Sequence, residues 1–542
     1  MAKLQAVSNA ALGFLGLNTQ ESGVTLDSGF ATQATNCIID KNGRLSSRKG
    51  WQNLTTSRAD LGVNQPLESM YEIVTVQGAS TIVSAGAGKF YTGTTTLTRL
   101  NVFGPDHNGP VALSPQPTFT GNRWQWCTLQ EGAGADAETY AVTVQRGNPA
   151  LVYRESTHSG PYVLQRIGID YGTAPDGVTT FDPDCCHAAF GRVWVAGLTE
   201  NRTTVFYSGL LNPSHFTGVG SGVLDISAVV GGNDEIVAIS SHNNFLIIFC
   251  KRHIVVYSSP DDPTVIALAD VIAGVGCIAR DSVQQTGTDI IFLSASGVRS
   301  LARTVDEKSM PMRELSLNIR DDLVQYISGE VANNIKSVYS EKDAFYLLVL
   351  PSLQQVYCFD LRKLLESGAS RVTVWTNIIP SALLSTVDRT LLFGVNGGVA
   401  FYNGYSDNGA SYRMEYYTTN TDIGLPFTLK FLKKARITVI GFSTQDFIVK
   451  YGFDYSSTYT SRNYLADLPD VLFEYGIAQY TAPLGSTGYV GTEYSGGASL
   501  FEGDFNLGGS GKILQFGIEA TINGTPLNIQ QMSVYLTTGK MT

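Results

Sequence analysis

Few residues in this chain have the types and spacing that chemistry requires. Its six histidines are His107, His158, His187, His215, His242 and His253, and none stands in an HxH or HExxH spacing. Cys185-Cys186-His187 places three metal-ligating types in a row. Adjacent strand residues face opposite sides, and no second pair stands at finger spacing, so the stretch reads as structural. The carboxylates Asp182 and Asp184, and Asp261 and Asp262, are the residue types that cleave glycosides. Each pair flanks a proline and reads first as solvated turn. Gly508-Gly509-Ser510-Gly511-Lys512 ends like a phosphate loop, but Asn506 stands where the first glycine belongs and Ile513 follows the lysine. Gly86-Ala87-Gly88 lacks the third glycine of a dinucleotide fingerprint. Trp124, Trp126 and Trp194 have rings that stack on sugars, yet large aromatics in β proteins are mostly core. These residues predict no catalytic site, no cofactor and no metal.

The elements that would position them follow from composition. The chain has 542 residues, enough for several cores. Its 37 basic and 47 acidic residues leave a net charge of −10, which argues against gripping nucleic acid through a basic face. Charged residues make up 15%, with 56 Gly, 26 Tyr and 25 Phe. Few charges and many glycines and aromatics predict turn-rich β structure. The seven scattered cysteines form no framework, so reduced thiols are expected. The first five residues show no apolar leader core, and the longest apolar runs fall far short of the ~20 residues of a spanning helix.

One unit recurs: an apolar strand, a tight Gly/Asn/Ser turn, and a second strand rich in Val and Tyr. Phe245-Leu246-Ile247-Ile248-Phe249 turns into Ile254-Val255-Val256-Tyr257. Ile290-Ile291-Phe292-Leu293 turns at Ser296-Gly297, and Leu391-Leu392-Phe393 turns at Asn396-Gly397-Gly398. The hairpins repeat every ~45–60 residues between residues 80 and 405, the blade period of a β-propeller. Glycine and asparagine supply the positive φ that such turns need. The expected fold class is all-β: a β-propeller of six or seven blades with an added C-terminal β-sandwich-like domain. The expected division is an N-terminal arm at 1–65, packing with the C-terminal domain, the propeller at 66–410, and a platform at 411–542. Residues 456–510, rich in Tyr, Gly, Ser and Thr, read as a long loop. An irregular sandwich is the competing fold. Helix is scarce, with residues 317–327 the best candidate.

Four stretches in this order carry a resemblance. The first is Gly16-Leu17-Asn18, Ala34-Thr35-Asn36 and Gly43-Arg44-Leu45-Ser46-Ser47-Arg48-Lys49-Gly50. The second is Arg192-Val193-Trp194-Val195-Ala196-Gly197, running on to Val205-Phe206-Tyr207-Ser208. The third is Phe292-Leu293-Ser294 with Gly297-Val298, and the fourth is residues 429–436 with 528–535. Together they resemble the tail nozzle proteins of short-tailed bacteriophages, also called tail tubular protein B or packaged-DNA stabilisation protein. The resemblance implies a structural virion protein and no enzymatic activity. It implies a homohexamer beneath the head-to-tail adaptor ring, assembled in the host cytoplasm. The ring would carry tail fibres or spikes and would retain the genomic DNA, which passes through its channel without sequence-specific contacts. An acidic, charge-poor wall suits a channel through which DNA slides. Arg44, Arg48, Lys430, Lys433, Lys434 and Arg436 are the candidate adaptor or subunit contacts, against the plainer reading of solvated basic strand faces. The alternative function is a receptor- or glycan-binding propeller of a phage tail.

Overall fold

The computed structural model describes residues 4–10, 13–102, 113–131, 138–154, 163–166, 173–175, 177–232, 234–301, 314–441, 444–467 and 499–541. Seven antiparallel blades follow one another along the chain, six as small separate sheets and one, blade VI, as the end of a ten-stranded sheet. Blade I is Ser69–Val74, Ser80–Gly86, Lys89–Thr92 and Thr98–Leu100. Blade II is Gln125–Glu131, Glu138–Val144, Leu151–Arg154 and Val163–Arg166. Blade III is Cys185–Ala189, Arg192–Ala196, Thr204–Tyr207 and Gly222–Asp225. Blade IV is Ile236–His242, Phe245–Cys250, His253–Ser258 and Ala267–Ala273. Blade V has three strands, Gln284–Gln285, Ile290–Ser294 and Gly297–Ser300. Blade VI is Lys336–Ser340, Phe345–Leu350, Gln355–Asp360 and Arg371–Trp375. Blade VII takes Ala382–Ser385, Leu391–Val395 and Gly398–Tyr402, and its fourth strand, Trp51–Asn53, comes from the N-terminal region.

Each blade is glued to the next by an apolar cluster, that between V and VI being continuous with the platform core, and the series closes on itself. Trp126 and Phe90 lie between blades I and II, and Val142 and Val193 between II and III. Trp194 and Ile248 join III to IV, and Phe249 and Phe292 join IV to V. Leu293 and Tyr346 fall in one cluster across V and VI. Phe345 and Phe393 bridge VI and VII, and Leu392 and Tyr91 bridge VII back to I. This is a seven-bladed propeller. Its middle strands are pressed between two neighbours, so both faces are buried and the strand reads as an unbroken apolar run. In Phe345–Leu350 all six residues are buried: Phe345, Leu347 and Val349 face blade VII, while Tyr346, Leu348 and Leu350 face the other side.

The second body is a two-sheet platform built from both ends of the chain. One sheet orders Ser499–Asn506, Thr428–Gly441, Asn528–Met541, Leu45–Ser47 and Cys37–Ile39, with Leu4–Ala10 paired to Asn528–Met541. The other orders Phe30–Thr35, Tyr412–Thr418, Leu514–Ile522, Gln445–Phe453 and Thr460–Ala466. It continues into blade VI, where Val374 pairs in parallel with Thr35. Ile437 and Val439 of the first sheet share one core with Tyr416, Val449 and Ile518 of the second. The N-terminal region therefore serves both bodies: strands up to Ser47 belong to the platform, and Trp51–Asn53 belongs to the propeller. The helix is a 3₁₀ turn, Leu317–Ile319, running into α1, Arg320–Ser328. Most of the long loop expected at 456–510 lies outside the described residues; Thr460–Ala466 and Ser499–Asn506 at its two ends are strands.

Candidate functional site

The six expected contact residues separate into buried and surface positions. Arg48 is fully buried at the junction of the two bodies, and every nitrogen is committed. Its Nη1 and Nη2 donate to Asp407 Oδ1 and Oδ2 at 2.8 and 2.7 Å. Nε donates to Asn36 Oδ1 (2.8 Å), Nη1 also to the Lys49 carbonyl (2.9 Å), and Nη2 to the Thr376 carbonyl (2.9 Å). The guanidinium lies 4.0 Å above the Tyr412 ring. Gly50 follows because the chain passes so close to residue 406 that a Cβ there would lie 2.0 Å from the Ser406 carbonyl oxygen. Arg48 is thus an internal clamp and not a docking contact. Lys430 is likewise buried, its ammonium donating to the Leu425 and Lys512 carbonyls, and burial pulls its pKa below the usual lysine value.

The remaining four stay at the surface. Arg436 forks onto Asp504 at 2.6 and 2.9 Å, with Lys434 at 3.2 Å from the same carboxylate. Arg44 donates to Gln530 Oε1 (2.8 Å). Lys433 is exposed beside the Phe431 ring. Strand alternation brings Lys433 and Phe431 to one side and puts Lys430 on the other with Leu432.

Residues the sequence did not single out, together with Asp184, form a dense polar site. At the end of the propeller axis where the inner strands begin, four blades each present a charge. Arg123 precedes blade II, Asp184 precedes blade III, the 3₁₀ turn Arg280–Ser282 precedes blade V, and Lys336 opens blade VI. Arg280 Nε donates to Asp281 Oδ1 (2.7 Å), and its Nη1 lies 3.3 Å from Asp184 Oδ1. Asp281 Oδ2 also accepts from Lys336 Nζ (2.6 Å) and from Arg123 Nε (3.3 Å). Arg280 Nη2 donates to the Arg123 carbonyl (2.8 Å). Burial alone would raise the Asp281 carboxyl; Arg280, Lys336 and Arg123 outweigh it and hold the group well below the usual carboxylate range. Asp184 is lowered in the same way, against its own desolvation, by Arg280, Arg123 and Arg146.

The cluster stands between two cavities. One, of about 470 Å³, opens outward past Glu68, Gln145, Arg146 and Asn334; the other, of about 170 Å³, runs down the axis past Trp126, Gln284 and Ser337. The cluster's residues line both: Arg123, Asp184 and Lys336 the first, and Arg280, Asp281 and Lys336 the second. Asp184, expected as a solvated turn residue, is a member of this cluster. Its neighbour Asp182 is buried and accepts from Gly147 N (3.1 Å) and Thr199 Oγ1 (2.5 Å). Asp262 caps its own exposed turn by accepting from Thr264 N and Oγ1. The signal that would have found the cluster is positional: a charge at or within a few residues of the start of an inner strand.

Other chemistry-bearing groups are occupied by structure. All seven cysteines are buried and free, and burial raises the thiols of Cys37, Cys185, Cys186, Cys250, Cys358 and Cys277, the last to about 11. His187 Nε2 lies 2.9 Å from Ser241 Oγ, and burial lowers its pKa to about 4. No group of three or more His, Cys, Asp or Glu among the described residues could hold a metal ion. No helix of the described residues is long and apolar enough to cross a membrane.

No family model matches the chain, and no curated protein is similar to it. Solved structures with a related chain path are propellers. The WD40 domain of Neurospora crassa Pan2 aligns with a TM-score of 0.35 and 9% identity, over 66% of this chain and 96% of that one. An exo-β-1,3-galactanase from Phanerochaete chrysosporium gives 0.26 and 12%, over 92% and 100%. A family 43 arabinoxylan arabinofuranohydrolase from Bacillus subtilis gives 0.24 and 9%, over 96% and 98%. The expectation that the chain is not an enzyme is corrected here. Two of these neighbours are glycoside hydrolases, so the architecture does not argue against catalysis. At these scores the likeness assigns no site, substrate or activity to this chain, and its seven-bladed form rests on its own sheets.

Proposed function

We propose that the chain is a wall subunit of a short-tailed phage tail nozzle, a structural virion protein acting as a homohexameric ring. The observation that carries the reading is the weld between propeller and platform. Of the four stretches that resemble nozzle proteins, the first and fourth fall on the platform side of that weld and the second and third on propeller blades. The first contains the clamp Arg48 and the strand Leu45–Ser47. The second covers the buried second strand and the third strand of blade III. The third spans the hairpin of blade V, and the fourth lies on the two longest platform strands. A continuous sheet and a five-bonded guanidinium across the joint suit a part that transmits load as one body.

The ion-paired side chains of Arg123, Asp184, Arg280, Asp281 and Lys336 crowd one end of the propeller axis, and in this reading genomic DNA passes between copies arranged around a common channel. A ring of identical chains is a heterologous assembly closed by rotation. The adaptor ring and the tail fibres or spikes would dock on the outer surfaces, where Lys433 and Arg436 remain candidate contacts. The test is negative-stain imaging of the purified protein, alone and mixed with its dodecameric adaptor. The expected result is a six-fold ring with an axial hole, formed alone or on the adaptor. Monomers that ignore the adaptor overturn the reading.

A further inference from the structure

We propose that the outer axial cavity of the propeller binds a neutral saccharide, a function that does not depend on ring assembly. Five blades bring residues to it, so it is framed by the rigid part of the fold, and its volume of about 470 Å³ lies within the ~300–1,000 Å³ of small-molecule sites. The ion pairs beneath it are satisfied among themselves, which leaves a distinct set of uncommitted polar groups at its wall. Gln145 is 8% exposed, and its Nε2 donates to the Thr120 carbonyl, but its Oε1 is buried without a partner. Gly121 is required beside it: φ is +88°, and a Cβ there would sit 2.5 Å from Gln145 Nε2. The amide is therefore held in place, and a lone buried acceptor of this kind costs free energy unless something donates to it.

Glu68 lines the same cavity, and no described residue partners its carboxylate. Asn333 and Asn334 present side-chain amides with no described partner, and Asn122 uses only its Oδ1, toward Gly88 N. The free groups that reach the cavity are thus one acceptor site, Glu68, and several amide donors, with Gln145 Oε1 buried just behind the wall. Hydroxyls match that mixture because each donates and accepts. Charge argues in the same direction. Arg123, Arg146, Arg280 and Lys336 stand against Glu68, Asp184 and Asp281, so the mouth is close to neutral and offers no concentrated field to an anion or a polycation. Pro66, Ile379 and Pro380 add an apolar rim of the kind that the C–H face of a pyranose covers.

The experiment is saturation-transfer NMR on the full chain. The probes are D-glucose, D-galactose, D-mannose and their methyl glycosides, with glucose 6-phosphate and spermidine as charged comparators. Transfer to at least one neutral sugar is expected; a response from methyl glycosides identifies a glycan-linked unit, and a response from free sugars alone identifies a free one. Glu68→Gln should weaken the binding about tenfold, the worth of one hydrogen bond to a charged group. The double variant Asn122→Ala/Asn334→Ala provides a second reading at surface positions. The proposal is overturned if no neutral sugar shows transfer, if only a charged probe binds, or if both variants bind as the parent does.

Discussion

Removing the Arg48 side chain should cost far more than the loss of a surface cation. The guanidinium is fully buried and makes five hydrogen bonds, two of them to Asp407, which is itself 8% exposed. In Arg48→Met the aliphatic stem is kept and the charge is lost. Asp407 is then a buried carboxylate without its counter-ion, and the Thr376 carbonyl and the Asn36 amide each lose a donor. Breaking a buried pair from one side costs about 3–5 kcal/mol. For a platform unit of roughly 200 residues, at about 2–4 °C per kcal/mol, its transition should fall by some 6–20 °C. Calorimetry of the full chain reads this directly, since a weakened joint lowers or splits the platform transition. The double variant Arg48→Met/Asp407→Leu should recover at least about 2 kcal/mol, because most of the loss is the stranded carboxylate. Arg48→Lys should not rescue, since an ammonium cannot fork onto Asp407 while reaching Asn36 and Thr376. A fall below about 1 kcal/mol in Arg48→Met, or full rescue by lysine, would refute the reasoning.

Three further outcomes are expected. Asp281→Asn should destabilise the propeller by about 3–5 kcal/mol at pH 7, because Arg280 and Arg123 then keep only Asp184 and the Lys336 ammonium loses its counter-ion. The folded Asp281 carboxyl lies below its unfolded value of about 3.9, so its contribution is complete at neutral pH. The gap between parent and variant in urea midpoints should therefore close as pH falls below about 4 through the folded value. His187 is neutral in the fold with a pKa of about 4, whereas the unfolded chain takes up its proton near 6.5. Stability should thus drop as pH falls from 6.5 to 4, by up to about 3 kcal/mol, and His187→Gln should flatten that part of the curve. Finally, no thiol should react with dithionitrobenzoate in the native protein and all seven should react in guanidinium; rapid native labelling would contradict the burial of the cysteines.

Much of the propeller was legible because hairpins are local. Phe345–Leu350 turning into Gln355–Asp360, or Leu391–Val395 into Gly398–Tyr402, carries both its apolar run and its turn residues within a short window. The assignment of Trp51–Asn53 to blade VII was not legible, since its partner Gly398–Tyr402 lies in a distant part of the chain and no local pattern announces the pairing. Among the basic residues, composition misled. Lys430 shares a strand with Lys433 and looks equally solvated, but it is in phase with Leu432 and points inward. A register shift between Leu432 and Lys434 then moves the buried phase to Ala435, Ile437 and Val439, which leaves Lys434 and Arg436 at the surface. Arg48 was read as a surface cation because its partner Asp407 is remote in sequence. The axial cluster was invisible for the same reason: Arg123, Asp184, Arg280 and Lys336 meet only when the ring has closed.

That closure sets an order of events during synthesis. Trp51 leaves the ribosome well before Tyr402, the residue it pairs with, which follows roughly 350 residues later, a delay of about 20–70 s at 5–20 residues per second. Through that interval blade VII does not exist, blade I has no neighbour on one side, and the segment holding Arg48 and Trp51 has neither Asp407 nor Tyr412 to close on. The nascent chain is an open crescent with adhesive ends. Exchange of first strands between two such crescents competes with the closure of each on its own, a competition that the tether within one chain biases toward closure and that crowding of nascent chains shifts toward exchange.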